Sequence, residues 1–128
     1  MRLVRSATVA VVAVVAAITA GAGAAQAQVS IDCSTQPTQL DATFCAKAGW
    51  EVSDDELNRL WSVVKPAADR RGTGAALLDA QRGWLRYRDA TCAGERDEYA
   101  GGSIADMVYW QCMDRLTIGR NAELRALR

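Results

Sequence analysis

Four cysteines carry the most definite chemistry in this chain of 128 residues. They are Cys33, Cys45, Cys92 and Cys112, and the gaps between them are 12, 47 and 20 residues. A four-cysteine zinc site needs closely spaced pairs of ligands, which these gaps do not provide. An even number of cysteines in a short exported chain is typical of a disulfide framework, and four cysteines allow three pairings. We therefore predict disulfide bonds and no metal site.

Proton-transfer chemistry lacks its usual residue, because the chain contains no histidine. Hydrolysis of a glycosidic bond needs two acids that face each other across a cleft, and no spacing here places two acids in that way. The sequence has no phosphate-binding glycine motif, and paired cysteines leave no reactive thiol. We therefore expect no catalytic residue, no cofactor and no enzymatic activity. An enzyme acting on wall polymers is the minor alternative.

A tryptophan and an Arg-Asp pair invite a functional interpretation, but structural roles are favoured. Trp84 lies at helical spacing among apolar residues, as a core anchor does. Arg88 and Asp89 suggest a catalytic pair, yet a structural salt bridge explains them, with Arg120 as the candidate partner of Asp89. Thr117 is expected to hydrogen-bond its own helix backbone or a neighbouring helix.

The segment 98–103 is the candidate partner-binding site. A helix end, a glycine turn and a helix cap at Ser103 account for each of its residues. The same segment would also present a carboxylate (Glu98), a phenol (Tyr99) and the Ser103 hydroxyl on an exposed tip beside Gly101 and Gly102. Binding residues often lie on such loops between rigid elements.

The first 27 residues have the features of a secretory signal peptide. Arg2 and Arg5 form a basic start, residues 7–20 are nearly all apolar, and Ala25-Gln26-Ala27 is a small-x-small cleavage site. A transmembrane anchor is the alternative, but the apolar core is short for a bilayer span. We predict a signal peptide over residues 1–27 and one exported domain over residues 28–128. That domain would be secreted or periplasmic, without membrane attachment after cleavage.

The charge balance argues against binding to nucleic acid. The chain has 15 basic and 15 acidic residues, and removal of Arg2 and Arg5 with the leader leaves 13 basic residues and a net charge of −2. A nucleic-acid interface needs a basic surface, because phosphates must be neutralised.

Helical periodicity and stop signals predict an all-α fold, a small four-helix bundle held by disulfides. The first helix would run from Pro37 to Ala48 and end at Gly49. The second would begin at a capping box over residues 53–56 and stop or kink at Pro66. The third would run from Ala75 to Tyr99, and the fourth would follow Ser103 as its N-cap.

The last two helices form an antiparallel hairpin that selects one disulfide pairing. Cys92 and Cys112 each lie about nine or ten residues from the turn at Gly101 and Gly102. At about 1.5 Å per residue, both lie ~14 Å from that turn. If the two helices pack face to face, a Cys92–Cys112 bond follows, and a Cys33–Cys45 bond follows by elimination.

Three segments together resemble one protein family. They read Q-x-x-W-x-x-x-R-D-x-x-C from Gln81 to Cys92, Y-x-G-G-S from Tyr99 to Ser103, and C-x-x-x-x-T-x-x-R from Cys112 to Arg120. This pattern resembles the N-terminal domain of the LprI-type lysozyme inhibitors, and the resemblance extends from about Cys33 to Leu127. It implies a small, secreted or periplasmic, disulfide-bonded helical domain, and one member of the family is associated with inhibition of lysozyme.

The function implied by this resemblance is inhibition of lysozyme-type muramidases by occlusion of the enzyme cleft. The partner would be lysozyme or another exported protein. A cell-envelope interaction or structural module without inhibitory activity is the alternative.

Overall fold

The computed structural model describes residues 31–128, and the predicted signal peptide, residues 1–27, lies outside them. Three helices follow one another: α1 (Gln39–Arg70), α2 (Gly74–Asp97) and α3 (Ala105–Arg125). Residues 31–128 contain no β-strand, and none of their helices has the length and apolar character needed to cross a bilayer. The all-α prediction is confirmed, but the prediction of four helices is wrong.

Helix α1 replaces the first two predicted helices, because neither predicted boundary exists. The helix continues through Gly49, and Ser53 is a buried residue inside it rather than an N-cap. The hydroxyl of Ser53 donates to the carbonyl of Trp50 at 2.9 Å. The capping box lies instead at Thr38, whose hydroxyl accepts from the backbone N–H of Asp41 at 3.1 Å while the Asp41 carboxylate accepts from the Thr38 N–H.

Pro66 does not end α1, contrary to the sequence prediction. A proline inside a helix removes one backbone hydrogen bond and crowds the preceding turn. Leu60, Val64 and Ala68 nevertheless form one buried stripe that passes Pro66 on both sides, while Pro66 itself is exposed. Burial of this stripe requires a continuous helix. The free energy gained from that burial outweighs the free-energy cost of the proline in the helix.

The three helices pack so that α1 and α3 run in parallel and α2 runs antiparallel to both. Gln39 contacts Met107 near the start of α1 and α3, and Asn121 donates to the carbonyl of Ser53 at 2.8 Å further along. The hairpin of α2 and α3 therefore places its connecting loop at the same end of the bundle as the beginning of α1.

The interior consists of two clusters, one apolar and one built around a disulfide. Cys92 and Cys112 are fully buried and bonded to each other, and Cys33 is bonded to Cys45 near the start of α1. Both predicted pairings are therefore present. The apolar cluster contains Leu57, Leu60, Val64 and Leu124 with Trp61, Leu77 and Trp84, and the disulfide cluster contains Cys92, Cys112 and Met113 with Trp50, Tyr109, Trp110 and Leu116.

Candidate partner-binding surface

Two guanidinium groups lie near the ring of Trp84. The Cζ atoms of Arg88 and Arg120 lie 5.2 Å and 5.9 Å from the Trp84 ring centroid. The ring also packs against the apolar cluster, and a large half-buried aromatic of this kind contributes mainly to packing. The structure thus places Trp84 between the core and the polar residues of α2 and α3.

Arg88 is buried and joins α2 to α1. Its Nη1 lies 3.4 Å from Asp54 Oδ1, and its Nη2 lies 2.9 Å from Asp89 Oδ1. The predicted Asp89–Arg120 pair is wrong, because Arg120 Nε donates to Gln81 Oε1 at 2.9 Å. Successive residues of a helix point about 100° apart, so Asp89 does not share the face on which Arg88 packs, and it is largely exposed.

Thr117 and Arg120 also have partners within the bundle. The Thr117 hydroxyl is fully buried and donates to the Met113 carbonyl at 2.7 Å. Arg120 Nη1 lies 2.6 Å from Glu123 Oε2. The polar motif residues thus have partners within the bundle, and the contacts of Arg88 and Arg120 join neighbouring helices. Residues 31–128 contain no cluster of three or more metal-ligating side chains.

The tip loop, residues 98–103, joins α2 to α3 through successive tight turns. The N–H of Ala100 donates to the Asp97 carbonyl at 3.2 Å, and the N–H of Gly102 donates to the Tyr99 carbonyl at 2.8 Å. The N–H of Ala105 then donates to the Gly102 carbonyl at 3.3 Å. These backbone bonds define the shape of the loop without the help of a partner.

Two glycines favour this shape, Gly101 by its backbone conformation and Gly102 by its lack of a side chain. Gly101 has a φ of +82°, a left-handed conformation that residues with a Cβ rarely adopt. A Cβ on Gly102 would lie 3.1 Å from the Tyr99 carbonyl oxygen. The predicted N-cap at Ser103 is wrong, since the N-cap of α3 is Ile104 and makes no side-chain capping bond. The chain reaches α3 one residue later because of the turn at Gly102, which leaves Ser103 exposed.

The tip loop presents three polar side chains close to aromatic residues of α3. Glu98 and Ser103 are exposed, and Tyr99 is 44% exposed. Below the loop, Arg96 lies over the ring of Tyr109 at 5.5 Å, and Tyr109 contacts Trp110 edge to face. The structure therefore brings together the five residues predicted for partner binding on one protruding end, separate from the Trp84 cluster.

A further surface, the concave α1–α3 groove, was missed by the sequence analysis. It has a volume of about 730 Å³ and lies between the two parallel helices. Val52 and Ile118 are its exposed apolar residues, at 72% and 54% exposure. Both residues lie outside the buried stripes of their helices. Apolar residues at such positions were the feature of the sequence that could have indicated this surface. The polar residues that line it are Ser53, Glu56, Arg59, Asp114, Asn121 and Arg125.

The pKa of one carboxyl group in this groove, that of Glu56, is lowered by its neighbours. Arg59 hydrogen-bonds Glu56 and thereby lowers the pKa of that carboxyl below its ordinary value. Desolvation acts in the opposite direction, and Arg125, whose Nη2 lies 3.0 Å from Glu56 Oε1, lowers the pKa further. Glu56 is thus an ionised carboxylate that forms ion pairs with two arginines, and not a proton donor.

Three helices, two disulfide bonds and internally paired motif residues define a small disulfide-bonded helical domain. Residues 31–124 match the family model described as Lysozyme inhibitor LprI, and the chain belongs to that family. An uncharacterized protein of Rhizobium meliloti (strain 1021) is similar to it, with 34% identity over 108 residues, 75% of this chain and 78% of the relative. No solved structure matches the chain. The family resemblance inferred from the sequence is confirmed.

Proposed function

We propose that this protein is an exported inhibitor of lysozyme-type muramidases that occludes the enzyme cleft with its tip loop. Residues 1–27 would be a signal peptide, and residues 28–128 the exported domain. Membership of the LprI family is the observation that carries this proposal. Two disulfide bonds support export, because such bonds persist in oxidising compartments.

The tip loop is suited to enter a cleft because its shape is formed in advance. A loop held by its own backbone bonds loses little conformational freedom on binding, which favours affinity. Lysozyme carries two carboxyl groups in its cleft. The hydroxyls of Tyr99 and Ser103 are hydrogen-bond donors that could face those groups. The net charge of −2 over residues 28–128 is compatible with a cationic lysozyme and would assist encounter rather than affinity.

The test is inhibition of wall hydrolysis by lysozyme during titration with the purified, disulfide-bonded protein. We expect loss of lysozyme activity that saturates at a fixed molar ratio. Tyr99→Ala should weaken inhibition about tenfold, since an aromatic anchor typically contributes a large share of binding free energy. Tyr87→Ala is the matched control, because Tyr87 is a 57% exposed tyrosine on α2 outside the loop.

Two results would count against the proposal. Unchanged lysozyme activity at a large molar excess of the protein would exclude inhibition. Equal weakening by Tyr99→Ala and Tyr87→Ala would remove the tip loop as the contact. Recovery of a different stoichiometric partner from the cell envelope, together with unaffected lysozyme, would favour an interaction module instead.

A further inference from the structure

The α1–α3 groove has a charge pattern that differs from one end to the other. At one end, the carboxylate of Glu56 lies between the guanidinium groups of Arg59 and Arg125. Two cations and one anion leave a local excess of one positive charge. Arg59 and Arg125 keep 62% and 52% of their side-chain surface exposed, so a second anion can approach them. Arginine binds carboxylates through paired, charge-assisted hydrogen bonds.

The opposite end of the groove is acidic. Asp114 lines this end near Gly49 and forms no salt bridge with another residue in the described range 31–128. An unpaired carboxylate at a partly buried position favours a cationic partner. The groove therefore offers a site for an amine at one end and a site for a carboxylate at the other.

Asn121, one of the residues that line the groove, has a buried polar atom without a hydrogen-bond partner in the described part of the chain. Asn121 is 2% exposed, and its Nδ2 donates to the Ser53 carbonyl, but its Oδ1 accepts no hydrogen bond within residues 31–128. Buried acceptors without a donor are uncommon, since each costs free energy. A ligand N–H group could reach this acceptor only after a change in the Asn121 side-chain torsion angles, so the Asn121 side-chain amide is a reporter of ligand binding in the groove.

The dimensions of the groove fit a short extended peptide. Gly49 and Arg59 are ten residues apart on α1, which is about 15 Å along the helix. An extended chain covers that distance with about four or five residues at ~3.3 Å each. Val52 and Ile118 provide apolar contact between the two charged ends. Among residues 31–128, no aromatic side chain lines the groove to stack on a sugar ring. A symmetric dimer formed through this groove would place one concave surface against another.

We propose that the α1–α3 groove binds a short extended peptide with a free terminal carboxylate. The carboxylate lies against Arg59 and Arg125, an apolar side chain lies between Val52 and Ile118, and an amine near the other end pairs with Asp114. The groove is built by α1 and α3, whereas the tip loop joins α2 to α3. Peptide binding is thus independent of the proposed inhibition of lysozyme.

The probe for this proposal is an N-acetylated pentapeptide with lysine first, leucine third, alanine elsewhere and a free carboxyl end. In a titration of the ¹⁵N-labelled protein followed by NMR, we expect saturable shifts of the Val52 and Ile118 amides and of the Asn121 side-chain amide. Amidation of the peptide carboxyl or the change Arg125→Gln should weaken binding about tenfold, through loss of a charge-assisted pair. Asp114→Asn should weaken binding of this peptide but not of its norleucine analogue.

Arg115→Gln is the matched control, because Arg115 is an exposed arginine of α3 that pairs with Glu95 outside the groove. Each variant is compared only if its thermal unfolding by circular dichroism matches that of the parent. Absence of shifts at millimolar peptide, or equal binding of the amidated peptide, would overturn the proposal. A dimer in sedimentation analysis that Ile118→Ser dissociates would also overturn it and assign the groove to a second copy. Inhibition of lysozyme, measured on the same variants, should remain unchanged.

Discussion

The buried disulfide should contribute more to stability than the exposed one. Replacement of both Cys92 and Cys112 by alanine opens a covalent loop with a sequence separation of 20, which costs about 3 kcal/mol in the chain-entropy model. Both sulfur atoms are fully buried beside Met113, so their removal also leaves a cavity that costs about 1–2 kcal/mol. The expected loss is therefore about 4–5 kcal/mol, a large part of the ~5–15 kcal/mol typical of a domain.

The Cys33–Cys45 bond provides the comparison. Its sequence separation is 12, which gives nearly the same loop term of about 3 kcal/mol, but Cys33 is exposed and its removal leaves no comparable cavity. Urea unfolding of the two double-alanine variants, followed by circular dichroism, measures the difference. We expect the Cys92/Cys112 variant to lose at least about 1 kcal/mol more. An equal or larger loss for the Cys33/Cys45 variant would refute the reasoning from burial.

Two further changes test α1 directly. Pro66→Ala should raise the free energy of unfolding by about 2 kcal/mol. Proline costs about 3 kcal/mol inside a helix, and its restriction of the unfolded chain offsets only part of that cost. A loss of stability in urea would contradict this prediction. The pKa of Glu56 is lowered in the folded protein, so its contribution is present above the ordinary value of 4.5 and is lost as the pH falls below it. Glu56→Gln should flatten the decline of the urea midpoint below that pH, whereas Glu51→Gln, a change in an exposed pair with Lys47, should not.

The helix boundaries show where local sequence signals lose to tertiary packing. Ser53 followed by acidic residues has the form of a helix start, and Pro66 has the form of a helix end. Both signals describe the preferences of an isolated segment. In the folded chain, Leu57, Leu60 and Val64 bury one stripe against α3, and that burial favours a single helix of 32 residues. The buried stripe was visible in the sequence, but its continuation past Pro66 depends on the partner helix.

The disulfide pairing could be predicted because two cysteines level on antiparallel helices can bond once the helices pack face to face. Cys92 and Cys112 are level on two antiparallel helices whatever packs against them. The α1–α3 groove could not be predicted in the same way. It needs the parallel register of α1 and α3, in which Glu56 meets Arg125 across 69 residues of sequence. The predicted salt bridge between Asp89 and Arg120 was wrong for a related reason. The rotation of each helix about its axis, not the sequence spacing, decides which charged side chains meet.

The two proposed surfaces depend on different parts of the bundle, and this makes their roles separable. The tip loop is shaped by its own turns and lies beyond the buried Cys92–Cys112 bond on the α2–α3 hairpin. The groove is shaped by the contact of α1 with α3, where Asn121 bonds the Ser53 carbonyl. Coupling between two sites requires an element with two arrangements that both ligands bias. The hairpin is covalently fixed, so a peptide in the groove should leave the tip loop unchanged, and each surface can be examined without the other.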